Sequence, residues 1–189
     1  MTKPITKYNR ATITLHWLTV MAMFLAIFFI EIHGLFPKGS EIRDLTKVIH
    51  ISFGFLILGL AFVRLVVRHY TKVPAIEPPM PAWMEKASKA VHHLLLLLMI
   101  VIPMLGWLYM SARGRVSPFF GLDIPAIMPQ VTWSKDIKEV HELLGDFIMF
   151  VIAAHAGAAL FHHYVIKDNT LLRMMPSKKE KMQATSNNQ

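Results

Sequence analysis

Four apolar stretches, each close to the length that crosses a lipid bilayer, dominate this sequence. They run from about residue 11 to 32, 48 to 67, 91 to 110 and 140 to 166. A transmembrane helix needs about 20 predominantly apolar residues at roughly 1.5 Å each. Stretches such as LTVMAMFLAIFFI and HHLLLLLMIVIPMLGWLYM show no two-residue alternation and are too long for barrel strands. The expected fold is all-α, a transmembrane four-helix bundle. The first run is longer than a signal-peptide core and leads into Glu31 and His33, not a small-residue cleavage site. It reads as a retained helix.

Composition agrees. Of 189 residues, 54% are hydrophobic and 17% charged, against roughly a quarter charged in soluble domains. The length suits one domain, expected over residues 1–176, with 177–189 as a polar cytoplasmic tail. The absence of cysteine excludes disulfides, thiolate-bound metals and iron–sulfur clusters. A net charge of +8 is distributed around the ends of the apolar runs. That pattern suits membrane lipid and argues against nucleic acid.

The connections put successive helices side by side and antiparallel. Gly34 to Thr46 is the first link. Pro74, Pro78, Pro79 and Pro81 mark the second, and Ser111 to Lys135, with Gly114, Pro118, Gly121, Pro125 and Pro129, form the third. Ser134 or Asp136 is the expected N-cap of the last helix. Of the lysines and arginines, thirteen lie with the N-terminus, second link and C-terminus, and seven lie on the opposite side. The positive-inside rule then puts both termini in the cytoplasm.

Within these apolar runs lie His16, His50, His141 and His155. An ionisable side chain in a membrane span marks a functional site, because lipid offers it no partner. His141 and His155 are fourteen residues apart on one expected helix, close to four turns and about 21 Å along the axis. The orientation sets His16 beside His155 on the cytoplasmic side and His50 beside His141 on the other. Two imidazole pairs at two depths is the arrangement two haems require, each iron six-coordinate and suited to electron transfer. Without cysteine, the haems would be non-covalent haem b. Gly54 and Gly145 each follow a histidine by four residues, leaving room for a flat macrocycle or, alternatively, close helix packing. Each histidine taken singly also fits a hydrogen-bonded core imidazole. No two of the four are spaced i, i+4 as zinc ligands on one helix would be.

The chain resembles the bacterial cytochrome b561 family along nearly its whole length. The resemblance is carried by ITLHWL at His16, VIHISFG at His50, VHELLGDF at His141, AAHAGAALFHHY at His155 and His162, FFGLDIP, and KDNTLLRMMP from Lys167 to Pro176. It implies a small dihaem cytochrome of the bacterial inner membrane, with axial ligands at the same four histidines. The best-matching members resemble superoxide oxidases. This implies that superoxide is oxidised to oxygen on the periplasmic side and its electrons pass to ubiquinone. Arg113 and Arg115, with Lys38, Arg43 and Lys47, would then steer the anion toward the outer haem. One alternative is a non-enzymatic electron relay or cytochrome b subunit that links a redox partner to the quinone pool. Another is a haem-free transporter or scaffold.

The remaining polar residues divide by depth. His92 and His93 open the third helix, and His162 lies seven residues beyond His155. All three are candidates for a quinone carbonyl or a haem propionate, or are interfacial imidazoles. Asp146 is a candidate proton relay. Pro103 and Gly106 suggest a kink in the third helix that makes room for a ligand. The tryptophans fit the aromatic belt.

Overall fold

The structure is a computed structural model that describes residues 7–176; the polar tail expected at 177–189 lies outside the described residues. Four long helices account for most of it: α1 Arg10–His33, α2 Glu41–Tyr70, α3 Ala82–Ala112 and α4 Ser134–Phe161. All four are long and apolar enough to cross a membrane. Within lipid a helix satisfies its own peptide groups, which makes it one of the few structures that can span the bilayer.

The helices extend beyond their apolar runs because local caps and charges carry them into the polar region. Ser40 accepts a hydrogen bond from the Arg43 N–H, and Glu41 and Asp44 lie in the first turn of α2. Acidic side chains there favour the helix N-terminus. The first connection is therefore shorter than Gly34 to Thr46. At α1, the Asn9 side chain accepts from the Thr12 N–H at 2.8 Å. The expected cap of α4 is not observed: Trp133 is the N-cap, with no side-chain capping bond, and Ser134 is already helical. α3 continues through Pro103.

Close backbone packing runs from α1 to α2, α2 to α3 and α3 to α4, whereas α4 does not return against α1 or α2. The packed core comprises Ala22, Ala26, Ile57, Ala61, Leu98, Met99, Ile148 and Val151. Its alanines let α1 and α2 approach closely. Large apolar side chains such as Phe24, Phe62, Val66 and Phe150 are exposed on the outside, as a lipid-facing surface requires.

One end of the bundle holds the α1–α2 and α3–α4 connections, and is called here the loop end. The opposite, terminal end holds the α2–α3 connection and residues 167–176. At the loop end the α3–α4 connection contains a short hairpin, β1 Ser117–Phe119 and β2 Leu122–Ile124, with Phe119 opposite Leu122. Its turn places Phe120 and Gly121 at φ 46° and 89°, the left-handed pair that tight hairpins use. Ser52 on α2 fixes this hairpin: its hydroxyl donates to the Pro118 carbonyl at 3.3 Å and accepts from the Phe120 N–H at 3.1 Å.

At the terminal end, KDNTLLRMMP closes on the rest of the chain. α4 gives way to a π-helical turn, His162–Ile166, and Lys167 turns left-handed at φ 60°. Asn169 exchanges two backbone-directed bonds with Glu77, Arg173 donates to the Pro74 carbonyl, and Trp17 donates to the Met174 carbonyl. Asp168, 4% exposed, accepts from the His162 ring at 2.6 Å and from the Thr170 N–H at 2.8 Å. Burial pushes its carboxyl up, but the bonds from His162 and Thr170 outweigh this and hold it below the usual range. A lowered folded-state value means the group stabilises the fold above its unfolded value of about 3.9 and ceases to do so as pH falls through the folded value. Asp168→Asn is therefore expected to cost about 2 kcal/mol near neutral pH. Thermal unfolding in detergent should show a gap between variant and wild type that is constant down to about pH 4 and narrows below it.

Candidate cofactor site

The four intramembrane histidines face one another in two pairs across the seam where α4 stands off from α1 and α2. His50 on α2 and His141 on α4 have ring centroids 6.2 Å apart, and His16 on α1 and His155 on α4 have centroids 6.5 Å apart. A metal-bound imidazole nitrogen lies about 2 Å from its metal, with the ring centre about 1 Å further out. Two imidazoles on opposite sides of one iron are thus centred about 6 Å apart. Both observed separations fit that value.

The first pair is also set in the tautomer that a metal needs. The His50 Nδ1–H donates to the Ala26 carbonyl on α1 at 2.8 Å, and the His141 Nδ1–H donates to the Ile102 carbonyl on α3 at 2.9 Å. A carbonyl only accepts, so the proton is on Nδ1 and the Nε2 lone pair is free. This is the outer-shell bond that orients metal-ligating histidines. His16 and His155 carry no hydrogen bond among the described residues.

The glycines separate the two readings left open by the sequence. A Cβ at Gly54 or Gly145 would meet nothing within 4 Å. Neither is therefore a site of tight helix contact, and open space lies beside each, one turn from a histidine. Gly106 is different. A Cβ there would lie 3.1 Å from Cε1 of His141, so this glycine seats the imidazole against α3. The room expected from a kink at Pro103 and Gly106 is taken by that ring.

Of the other residues expected at the site, His92 joins the terminal-end pair, its ring centroid 5.1 Å from that of His155. His93 does not join; it bonds back to the Lys89 carbonyl on its own helix. His162 is bound to Asp168, a partner the sequence reading did not name. Asp146 is exposed on α4 and makes no hydrogen bond or ion pair among the described residues. Arg113 and Arg115 are exposed at the loop end, with Arg113 donating to the Tyr109 hydroxyl at 3.0 Å. The charge of Lys47, one turn before His50, is close enough to interact with both arginines. Arg43 is committed elsewhere, to the Phe36 carbonyl at 2.6 Å.

Paired imidazoles with free Nε2 atoms, beside space that no side chain fills, suit a flat, metal-centred cofactor. The sequence matches the family described as prokaryotic cytochrome b561 over residues 7–177. The chain belongs to that family. It is 40% identical to cytochrome b561 homolog 1 of Escherichia coli over 92% of this chain and 99% of that protein. It is 36% identical to a probable superoxide oxidase, CybB, of Yersinia pestis, over 92% of this chain and 98% of that one. It is also 31% identical to cytochrome b562 of Cereibacter sphaeroides, over 89% and 94%.

This cytochrome is accordingly a multi-pass membrane electron-transfer protein that binds haem b. The space beside Gly54 and Gly145 gives a direct check. A Cβ added at Gly54 or Gly145 meets no protein atom within 4 Å, so Gly54→Leu and Gly145→Leu start into open space and each variant should fold, with unchanged helicity by circular dichroism. Each should nevertheless carry less haem per chain by pyridine haemochrome assay. Full haem content in both would show that the space is not the macrocycle's.

Proposed function

We propose that this cytochrome oxidises superoxide to oxygen at the loop end and delivers the electrons to ubiquinone at the terminal end. The observation that carries the proposal is the pair of imidazole pairs, each spaced for one iron, set at two depths of one bundle. His141 and His155 hold these positions on a single helix, about 21 Å apart along its axis. The proposed cofactors are two haem b, one between His50 and His141 and one between His16 and His155. Haem supplies one-electron chemistry at its iron.

The protein's own residues determine direction. Superoxide is an anion and crosses lipid poorly, so it must be met at an aqueous surface. Arg113 and Arg115 gather positive charge at the loop end with Lys47, which lies one turn before His50. Such a field raises the encounter rate of a small anion. The terminal end offers His92 and His162 to the quinone: with their Nδ1 protons given to the Ser88 carbonyl and the Asp168 carboxylate, their Nε2 atoms accept from the O–H groups of the quinol. Two superoxide anions give up one electron each, and ubiquinone takes up two electrons and two protons. In a bacterial inner membrane, with both termini and the 177–189 tail cytoplasmic, the loop end faces the periplasm. The 36% identity to a probable superoxide oxidase supports this reading over a relay that serves a protein donor.

Two experiments test it. Haem assay should give two non-covalent haem b per chain. His16→Ala and His155→Ala should perturb one and the same haem spectrum, and His50→Ala and His141→Ala the other. Matching spectra for His16→Ala and His50→Ala would mean the pairs are wrong. In stopped-flow mixing, reduction of the bound haems by superoxide should slow as salt shortens the Debye length toward about 8 Å. The Arg113→Ala, Arg115→Ala double variant should slow it further, about tenfold at low salt. The activity proposal is falsified if superoxide leaves the wild-type haems oxidised. A holo double variant as fast as wild type at low salt would relocate the entry site.

A further inference from the structure

Arg64 lies on α2 fourteen residues after His50, the same interval that separates His155 from His141 on α4. α2 and α4 both start at the loop end and run in the same direction, and His50 faces His141 across the seam. Equal intervals on parallel helices bring Arg64 level with His155, on the face of α2 that carries His50. Its charge is close enough to interact with His16, His92 and His155. All four helices thus converge at this depth, three with an imidazole and α2 with a guanidinium.

That guanidinium has no counterion among the described residues. Arg64 is half-buried and makes no hydrogen bond or ion pair with another described residue. The charged residue nearest along its own helix is a second cation, Arg68, one turn further on. An arginine inside a membrane span is costly unless it faces the bundle interior and meets an anion. The histidines cannot supply one, and no acidic side chain among the described residues reaches it.

The geometry points to Arg64 as the anchor for a propionate carboxylate of the haem held between His16 and His155. The inference rests on the proposed assignment of a haem to that pair. A propionate is a carboxylate on the edge of an apolar macrocycle, and the slot otherwise offers it little solvation. The planar guanidinium matches a carboxylate with two parallel hydrogen bonds, which a lysine cannot reproduce. A fixed cation beside this haem also favours its reduced form, which carries one positive charge fewer. Arg64 therefore raises the tendency of the terminal-end haem to hold an electron and draws charge away from the loop end.

The test is a spectroelectrochemical titration of the purified holoprotein, with haem content measured alongside. In Arg64→Gln, one of the two haem transitions should move to lower potential by about a tenfold change in its reduced-to-oxidised ratio, near 59 mV for one electron. The other transition should stay in place, and the shifted haem should be lost more readily to apomyoglobin. Arg64→Lys keeps the charge without the fork and should shift the same haem by less. If Arg64→Gln does not accumulate, the lysine variant decides the matter on its own. Two unmoved transitions with unchanged haem retention, in whichever variant folds, would overturn the inference and leave Arg64 to a lipid phosphate. A wild type with one haem or none would overturn instead the cofactor assignment beneath it.

Discussion

An imidazole inside a bilayer must find its hydrogen-bond partners within the protein, and His50 and His141 find theirs on neighbouring helices. The Ala26 carbonyl belongs to α1 and the Ile102 carbonyl to α3, so α1 and α3 position the side chains of α2 and α4. Much of the packing can be understood from those two bonds. Ala22, Ala26 and Ala61 are small enough to bring α1 against α2, which puts the Ala26 carbonyl within reach. Gly106 lets the His141 ring lie against α3. With both Nδ1 protons committed, the two Nε2 atoms are free to share a metal between them, and α4 is kept away from α2 by the rings themselves.

The terminal-end pair is held differently. His16 and His155 have no hydrogen bonds among the described residues, and their helices do not pack backbone to backbone. The relation of α1 to α4 is fixed from outside the membrane. Residues 167–176 leave α4, bond to Glu77 and Pro74 in the α2–α3 connection, and accept from Trp17, the residue next to His16. The His162–Asp168 bond secures the start of that segment. Side chains positioned by a surface clasp are more adjustable than side chains bonded directly, which suits the end proposed to exchange quinone.

The large features were legible in the sequence because desolvation is severe. Four apolar runs in a chain without cysteine admit few folds, and a histidine in such a run has few reasons to be there. Depth alone was enough to match His16 with His155 and His50 with His141. What escaped depended on which faces meet. Arg64 read as one of the cations that set orientation, since its register with His155 emerges only once α2 and α4 are known to be parallel and facing. Asp168 lies in a polar segment, where nothing local signals a buried carboxylate. The role of Gly106 requires knowing that the His141 ring crosses to α3. The hairpin over Ser117–Ile124 is too short for a periodic signal, and only Gly121 hinted at its turn.

The fourteen-residue interval has a consequence for the two histidine pairs. At 3.6 residues per turn, fourteen residues fall about 40° short of four full turns. On a single helix, that drift would swing the second side chain partly out of the seam. Here α2 and α4 carry the same interval from the same starting level, so His50 to Arg64 and His141 to His155 rotate together and with the same hand. Side chains that face each other from two parallel helices and turn with the same hand swing to opposite sides of the line joining the helix axes. The partner of His155 is then on α1, where His16 is found, and at this depth α2 carries the Arg64 cation in place of a histidine. One repeated spacing thus yields two chemically different sites, one closed by α2 and α4 and one by α1 and α4. Under the proposed two-haem assignment, that difference would let an electron prefer one end of the protein over the other.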